Sequence, residues 1–156
     1  MIIVGKATQE PQNPGVDYVE VCLPQYRAVL RREGQFAYAW TFNPDDHAIA
    51  AIRQNLPTST WLYLIGEPWF APLRMRIIDL RHSHQPLHCP EEWRRYCILS
   101  EWGITRFEDQ PNWPPIHLWF LVDLIEEVRP VDVRTLTPYF RNKYHKYFRN
   151  SFGFYR

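Results

Sequence analysis

The chain has 156 residues, 46% of them hydrophobic, which excludes extended disorder, and no apolar run approaches the roughly 20 residues of a membrane span. The net charge of +1 favours no class of partner, and the start Met1–Lys6 lacks the features of a signal peptide. Three cysteines, an odd and sparse count, are typical of free thiols in a reducing compartment, so we expect a cytoplasmic single-domain protein without a membrane partner.

The first third of the chain predicts strands around one short helix. Residues 16–23 partly alternate between apolar and polar side chains and end at Pro24, which predicts a strand. Residues 25–33 predict a short helix that is stopped by Gly34. The aromatic-rich segment 36–42 predicts the next strand.

A second helix is predicted up to Asn55. Asn43 is the expected N-cap and Pro44 the expected first helical residue. Asp45 and Asp46 then lie at the positive end of the helix dipole, where carboxylates are favourable.

The middle of the chain alternates strands with one more helix. Residues 61–65 predict a buried strand. In the next strand, Leu73–Leu80, alternation places Arg74 and Arg76 on one face and Met75 and Ile77 on the other. Further elements are expected as a helix from Pro90 to Trp102, a long strand over 116–128, a helix from Thr137, and a strand over 152–155.

This order predicts an α+β domain built on a small curved sheet or β-barrel with two or three short helices. We expect one domain over residues 1–156. Its core is residues 36–137, preceded by an N-terminal extension, 1–35, and followed by a basic aromatic helix and strand, 138–156.

The histidine-rich stretch from His82 to Cys89 invites a metal interpretation. His82, His84, His88 and Cys89 offer four nitrogen or sulfur ligands, as zinc prefers. No second ligand pair follows at a typical spacing, so a solvated loop is favoured and we expect no metal or cofactor. Nucleophile, phosphate-loop and dinucleotide motifs are absent from the sequence, which favours a binding domain over an enzyme.

The segment 138–156 interleaves eight aromatic with five basic residues and has no acidic one. The aromatic side chains recur at helical spacing, which indicates a stripe docked on the sheet or, alternatively, on a partner protein. The opposite face is then free to contact phosphates through Arg141, Lys143, Lys146 and Arg149.

The order of the predicted elements resembles that of a PUA-like domain. The elements that carry the resemblance are the run Tyr38–Pro44, the helix after it, the strand pair 60–65 and 74–80, and the later strand 118–124. The similarity is greatest to the EVE and YTH-like branches and covers about residues 36–137.

The resemblance implies a reader of a modified base, which such domains flip into an aromatic pocket. It implies modified double-stranded DNA as ligand, and a place as the specificity module of a restriction or defence system with a nuclease or motor partner. By position, Trp40 and Thr41 lie at the pocket mouth, Trp69 follows from a loop, and Trp102 or Trp113 closes the cage. The implied phosphate contacts on the strands are Arg74, Arg76 and Arg81.

Overall fold

The computed structural model describes residues 1–6, 18–40, 42–65, 70–98, 115–132, 135–137, 139 and 152–156. Within these ranges the chain forms six strands, two α-helices and one 3₁₀-helix. The elements, in chain order, are β1 (Ile2–Lys6), α1 (Tyr18–Glu33), β2 (Phe36–Trp40), α2 (Asp46–Gln54), β3 (Thr60–Ile65), β4 (Phe70–His82), the 3₁₀-helix (Glu91–Tyr96), β5 (Leu118–Asp132) and β6 (Phe152–Tyr155).

The strands pair in the order β2-β5-β4-β3-β1-β6, in which β1 is parallel to β3 and all other neighbours are antiparallel. β2 and β6 are the two edges, so the sheet of the described residues is open and is not a closed barrel. The predicted α+β class is confirmed. β1 lies between β3 and β6, so the first 35 residues, set apart in the sequence as an extension, contribute a strand to the same sheet.

The sheet curls strongly towards one side. Four strand spacings separate β1 from β2, which is about 19 Å in a flat sheet. Nevertheless, a Cβ atom placed on Gly5 of β1 would lie 3.0 Å from the indole Cζ2 of Trp40 in β2. The two strands therefore approach each other across a concave surface. We call this side of the sheet the concave face and the other side the convex face.

The main hydrophobic core fills the concave face. Both α-helices pack there: α1 contributes Tyr26 and Val29, and α2 contributes Ala48, Ile49 and Ile52. The strand residues of this core with no exposed surface are Ile3, Phe36, Leu62, Met75, Ile77, Leu80, Leu118, Phe120 and Val122.

The two longest strands, β4 with 13 residues and β5 with 15, pair along almost their whole length. Both strands are predicted from the sequence, but the predicted ranges, 73–80 and 116–128, are shorter than the observed strands. Met75 and Ile77 are fully buried on the concave face, and Arg74 and Arg76 are half-buried on the convex face. The predicted alternation is therefore confirmed.

The strand prediction for residues 16–23 is wrong from Tyr18 onward, because α1 begins there and continues past Pro24. Tyr26 and Val29 recur at helical spacing and are only 3% and 4% exposed. Burying two such side chains stabilises the helix by several kcal/mol, about as much as the roughly 3 kcal/mol that an internal proline costs.

The predicted helix stop at Gly34 is confirmed. Its φ of 78° lies in the left-handed region, which glycine adopts without strain, and its N–H donates to the carbonyl oxygen of Leu30 over 2.8 Å. Neither α1 nor any other helix in the described ranges is both long and apolar enough to cross a membrane.

The second predicted helix forms, but its cap differs from the prediction. Asp45, not Asn43, is the N-cap: its backbone is extended and its carboxylate accepts the N–H of Ala48 over 2.9 Å. Pro44 is consequently outside the helix, which begins at Asp46. Asn and Asp cap helices about equally well, and the side-chain oxygen of Asn43 is instead engaged by His82 and His84.

The helix predicted from Pro90 to Trp102 is, in the described residues, a 3₁₀-helix that ends at Tyr96. Cys97 follows with extended backbone, φ −84° and ψ 151°. Trp93, Cys97 and Cys89 are buried in a second cluster on the convex face, and the sulfur atoms of the two cysteines lie 3.2 Å apart without a disulfide bond. Residues 99–114 lie outside the described ranges.

The C-terminal strand is confirmed as β6, which pairs with β1. Tyr139 donates its N–H to the carbonyl of Phe154, and Arg156 donates its N–H to that of Thr137, both over 2.9 Å, so Thr137 and Tyr139 line the outer edge of β6. The helix predicted from Thr137 lies, from residue 140 onward, outside the described residues.

Tyr155 gives a pH test of this fold. It is 4% exposed, and burial raises the pKa of its phenol to about 12 from 10.0. Below pH 10 the phenol is protonated in both the folded and the unfolded chain. Between pH 10 and 12 the unfolded chain loses this proton first, so the free energy of unfolding falls. Denaturant unfolding at pH 9, 10.5 and 11.5 should show a smaller loss for Tyr155→Phe than for wild type. Equal losses would contradict the burial.

Candidate functional site

One row of paired residues across the sheet brings an aromatic side chain and a cluster of polar side chains to the same face. β5 pairs with β2 on one side and with β4 on the other, and Leu118 is opposite both Trp40 and His82. Trp40 and Leu118 pack in the concave core, and directly paired residues project to the same face. Trp40 and His82 therefore flank Leu118 on the concave face, with backbones about 10 Å apart.

Trp40 is the aromatic element of this site. Its indole is half-buried at the margin of the core, 5.8 Å from the ring of Phe42 at a steep angle and 5.7 Å from the ring of Phe120. Gly5 leaves room for it, because a side chain at that position would contact the indole at 3.0 Å. The indole is thus fixed by its neighbours while part of its surface stays accessible.

The polar part of the site begins at Asn43, the residue immediately after Phe42. The side-chain oxygen of Asn43 lies 2.8 Å from His82 Nε2 and 3.1 Å from His84 Nδ1. The other ring nitrogen of His84, Nε2, lies 2.7 Å from a carboxylate oxygen of Asp46. The segment between β2 and α2 is therefore connected to the end of β4 by side-chain hydrogen bonds.

The electrostatics favour an uncharged His82. Burial lowers the pKa of His82 from 6.5, and the neighbouring charge of His84 lowers it further. Arg53, in the last turn of α2, is close enough to contribute in the same direction. A neutral imidazole keeps one ring nitrogen as an acceptor, which is the form that takes part in hydrogen bonding to a polar ligand or in metal coordination.

Three potential metal ligands meet here: Asp46, His82 and His84 each offer one atom, and these atoms lie within 4.8 Å of one another. The sequence interpretation grouped the two histidines with His88 and Cys89 instead. Cys89 is buried in the convex-face cluster. Asp46 was missed because it is 38 residues from His84 and was assigned to the helix dipole alone.

The strand arginines lie on the opposite side of the sheet from Trp40, and each is paired with a carboxylate. Arg76 makes two hydrogen bonds to Asp123, of 2.8 and 2.9 Å, and Arg74 contacts Glu126 at 2.6 Å. Arg81 lies 2.7 Å from a carboxylate oxygen of Asp79.

Two of these arginines also cover indole rings on the convex face. The guanidinium carbon of Arg74 is 4.1 Å from the ring centre of Trp61, and that of Arg81 is 4.7 Å from the ring centre of Trp93. Such stacking and pairing hold the guanidinium groups in place and neutralise them. The structure therefore does not bring the three strand arginines and Trp40 into one site.

The other residues predicted for the base pocket and the phosphate contacts lie outside the described ranges: Thr41, Trp69, Trp102, Trp113, Arg141, Lys143, Lys146 and Arg149. No protein-family model, curated protein or solved structure matches the chain.

A double-mutant cycle tests whether the convex-face arginines are committed to their partners. For Arg76→Ala and Asp123→Ala we expect a coupling of about 1 kcal/mol in urea unfolding, the upper range for partly exposed pairs, because the contact is bidentate. The Arg94–Glu91 pair is the matched control. Arg94 Nε lies 3.3 Å from a Glu91 carboxylate that is 92% exposed, so the coupling of this pair should be smaller. Zero coupling for Arg76 would contradict the assignment.

Proposed function

We propose that this chain is a nucleic-acid-binding domain that takes a modified base, turned out of a DNA duplex, against Trp40. It acts as the specificity module of a modification-dependent defence system, whose nuclease or motor is a separate domain or partner. The observation that carries the proposal is the partly exposed indole of Trp40 beside the hydrogen-bonding groups of Asn43 and His82. The resemblance in element order to PUA-like readers points the same way.

A flat base needs an aromatic surface on which to stack. Stacking on one side chain contributes about 1–3 kcal/mol per base. Trp40 suits this role because Phe42, Phe120 and Gly5 fix the plane of its indole, so little conformational entropy is lost when a ligand stacks on it.

Selectivity needs polar groups at the edge of the base. An Asn side chain both donates and accepts, the combination that matches adenine, and a neutral imidazole does the same. Asn43 and His82 are already held by each other at 2.8 Å. A base that enters this site exchanges those hydrogen bonds for its own, so a base without matching edge groups is rejected.

The DNA backbone needs cations near this face. Arg53 is exposed on α2 and lies on the same side as His82, which makes it the described residue best suited to a phosphate contact. The strand arginines are less suited, because each would first have to break its ion pair with a carboxylate. They are Arg74, Arg76 and Arg81. We therefore assign the phosphate contact to Arg53, at the rim of the concave face, and not to the strand arginines.

Fluorescence anisotropy with labelled duplexes tests the proposal. The duplexes carry unmodified bases, 5-methylcytosine, 5-hydroxymethylcytosine or N6-methyladenine. We expect wild type to prefer one modification. Trp40→Ala should reduce the affinity for that duplex by about 5- to 150-fold, the equivalent of one lost stack, and remove the preference. Nonspecific, salt-sensitive binding should survive.

Two further variants control for loss of the fold. Trp40→Phe keeps most of the core volume and should lose part of the preference. Trp61→Ala removes an indole of similar exposure from the convex face, beneath Arg74, and should bind as wild type does. Absence of any preference in wild type, or an equal loss in Trp61→Ala and Trp40→Ala, refutes the proposal.

A further inference from the structure

The polar element of the site has the composition of a metal centre. Two imidazoles and one carboxylate, from His82, His84 and Asp46, place their ligand atoms within 4.8 Å of one another. The Asn43 oxygen is adjacent, 2.8 and 3.1 Å from the two imidazoles. Two histidines with one carboxylate is a recurrent ligand set for zinc and for ferrous iron.

The spacing is close to that of a bound ion. Ligand atoms on a tetrahedral Zn²⁺ are about 3.3 Å apart, given bonds of about 2.0–2.1 Å. The His84–Asp46 distance is 2.7 Å, so that pair has to separate slightly, while no pair has to close by more than about 1.5 Å. His84 and Asp46 are largely exposed, 53% and 89%, so their side chains are free to make both adjustments.

Two of the three ligand residues lie at the ends of secondary-structure elements. His82 is the last residue of β4 and is paired with Leu118 of β5. Asp46 is the first residue of α2, whose start is fixed by the hydrogen bond between the N-cap Asp45 and Ala48. The ligands therefore come from two separate segments of the chain and do not depend on one loop.

We propose that Asp46, His82 and His84 bind a divalent transition-metal ion of the Zn²⁺ class. A cation at this position would be coordinated by one carboxylate oxygen and two imidazole nitrogens, whose mutual proximity is already set by the fold. Three protein ligands leave at least one coordination position open, because Zn²⁺ takes four. Asn43 lies close enough to orient the imidazoles, as outer partners of metal-bound histidines do.

Calorimetric titration with ZnCl₂ tests the proposal directly, on protein without a histidine tag that has been dialysed against a chelator. Wild type should bind one ion at this site. His84→Ala should weaken binding at least about 100-fold, since the loss of even an outer partner costs 10- to 100-fold. Asp46→Asn keeps an oxygen but removes the charge and should weaken binding by at least about tenfold. Co²⁺ titration should give a visible absorption band that His84→Ala removes.

Two exposed histidines serve as matched controls. His47 is the neighbour of Asp46 on α2, and His88 is in the same loop as His84. His47→Ala and His88→Ala should bind Zn²⁺ as wild type does. Saturating Zn²⁺ should raise the Tm of wild type and of both controls but not that of His84→Ala. A cooperative melting transition of metal-free His84→Ala shows that this variant is folded. Unchanged Zn²⁺ affinity in His84→Ala and Asp46→Asn, or no binding by wild type, overturns the proposal.

Discussion

The pairing of β5 with two partners is the constraint on which the site depends. β5 is hydrogen-bonded to β2 along its first residues and to β4 along almost its whole length. Side chains alternate between the faces of a strand, so a shift of one residue in either ladder would move Trp40 or His82 to the convex face. The fully buried run Leu118, Phe120 and Val122 opposes such a shift, because every second residue of β5 would have to leave the core.

The curvature of the sheet supports the Trp40 indole in a way that the strand register alone does not. In a flat sheet Trp40 would lie at an exposed edge with one flank covered. The curl of the sheet places Gly5 against the indole, so Trp40 is supported from β1 as well as from Phe42 and Phe120. A small residue at position 5 is therefore a requirement of the curled sheet. The convex face has the opposite character, with charges that neutralise one another, as in the Arg76–Asp123 pair.

Much of the fold was predictable because its signals are local. The apolar run of β5, the alternation of β4 and the apolar face of α2 each occupy one continuous segment. The site was only partly predictable, because its members are distant in sequence: Asp46 and His84 are 38 residues apart. The N-cap was misassigned for a related reason. Asn43 and Asp45 have similar capping propensity, and the choice between them is made by the tertiary contacts of Asn43 with His82 and His84.

The central claim is that Trp40 and the Asn43–His82 pair act as one ligand site on the concave face. Indole N–H resonances, assigned by Trp→Phe substitutions, test it during titration with the duplex that carries the preferred modification. We expect a large shift of the Trp40 signal and little change for Trp61 or Trp119. The indole N–H of Trp119 is already donated to the Leu87 carbonyl over 2.9 Å. Shifts confined to the convex-face indoles, with the Trp40 signal unmoved, would contradict it.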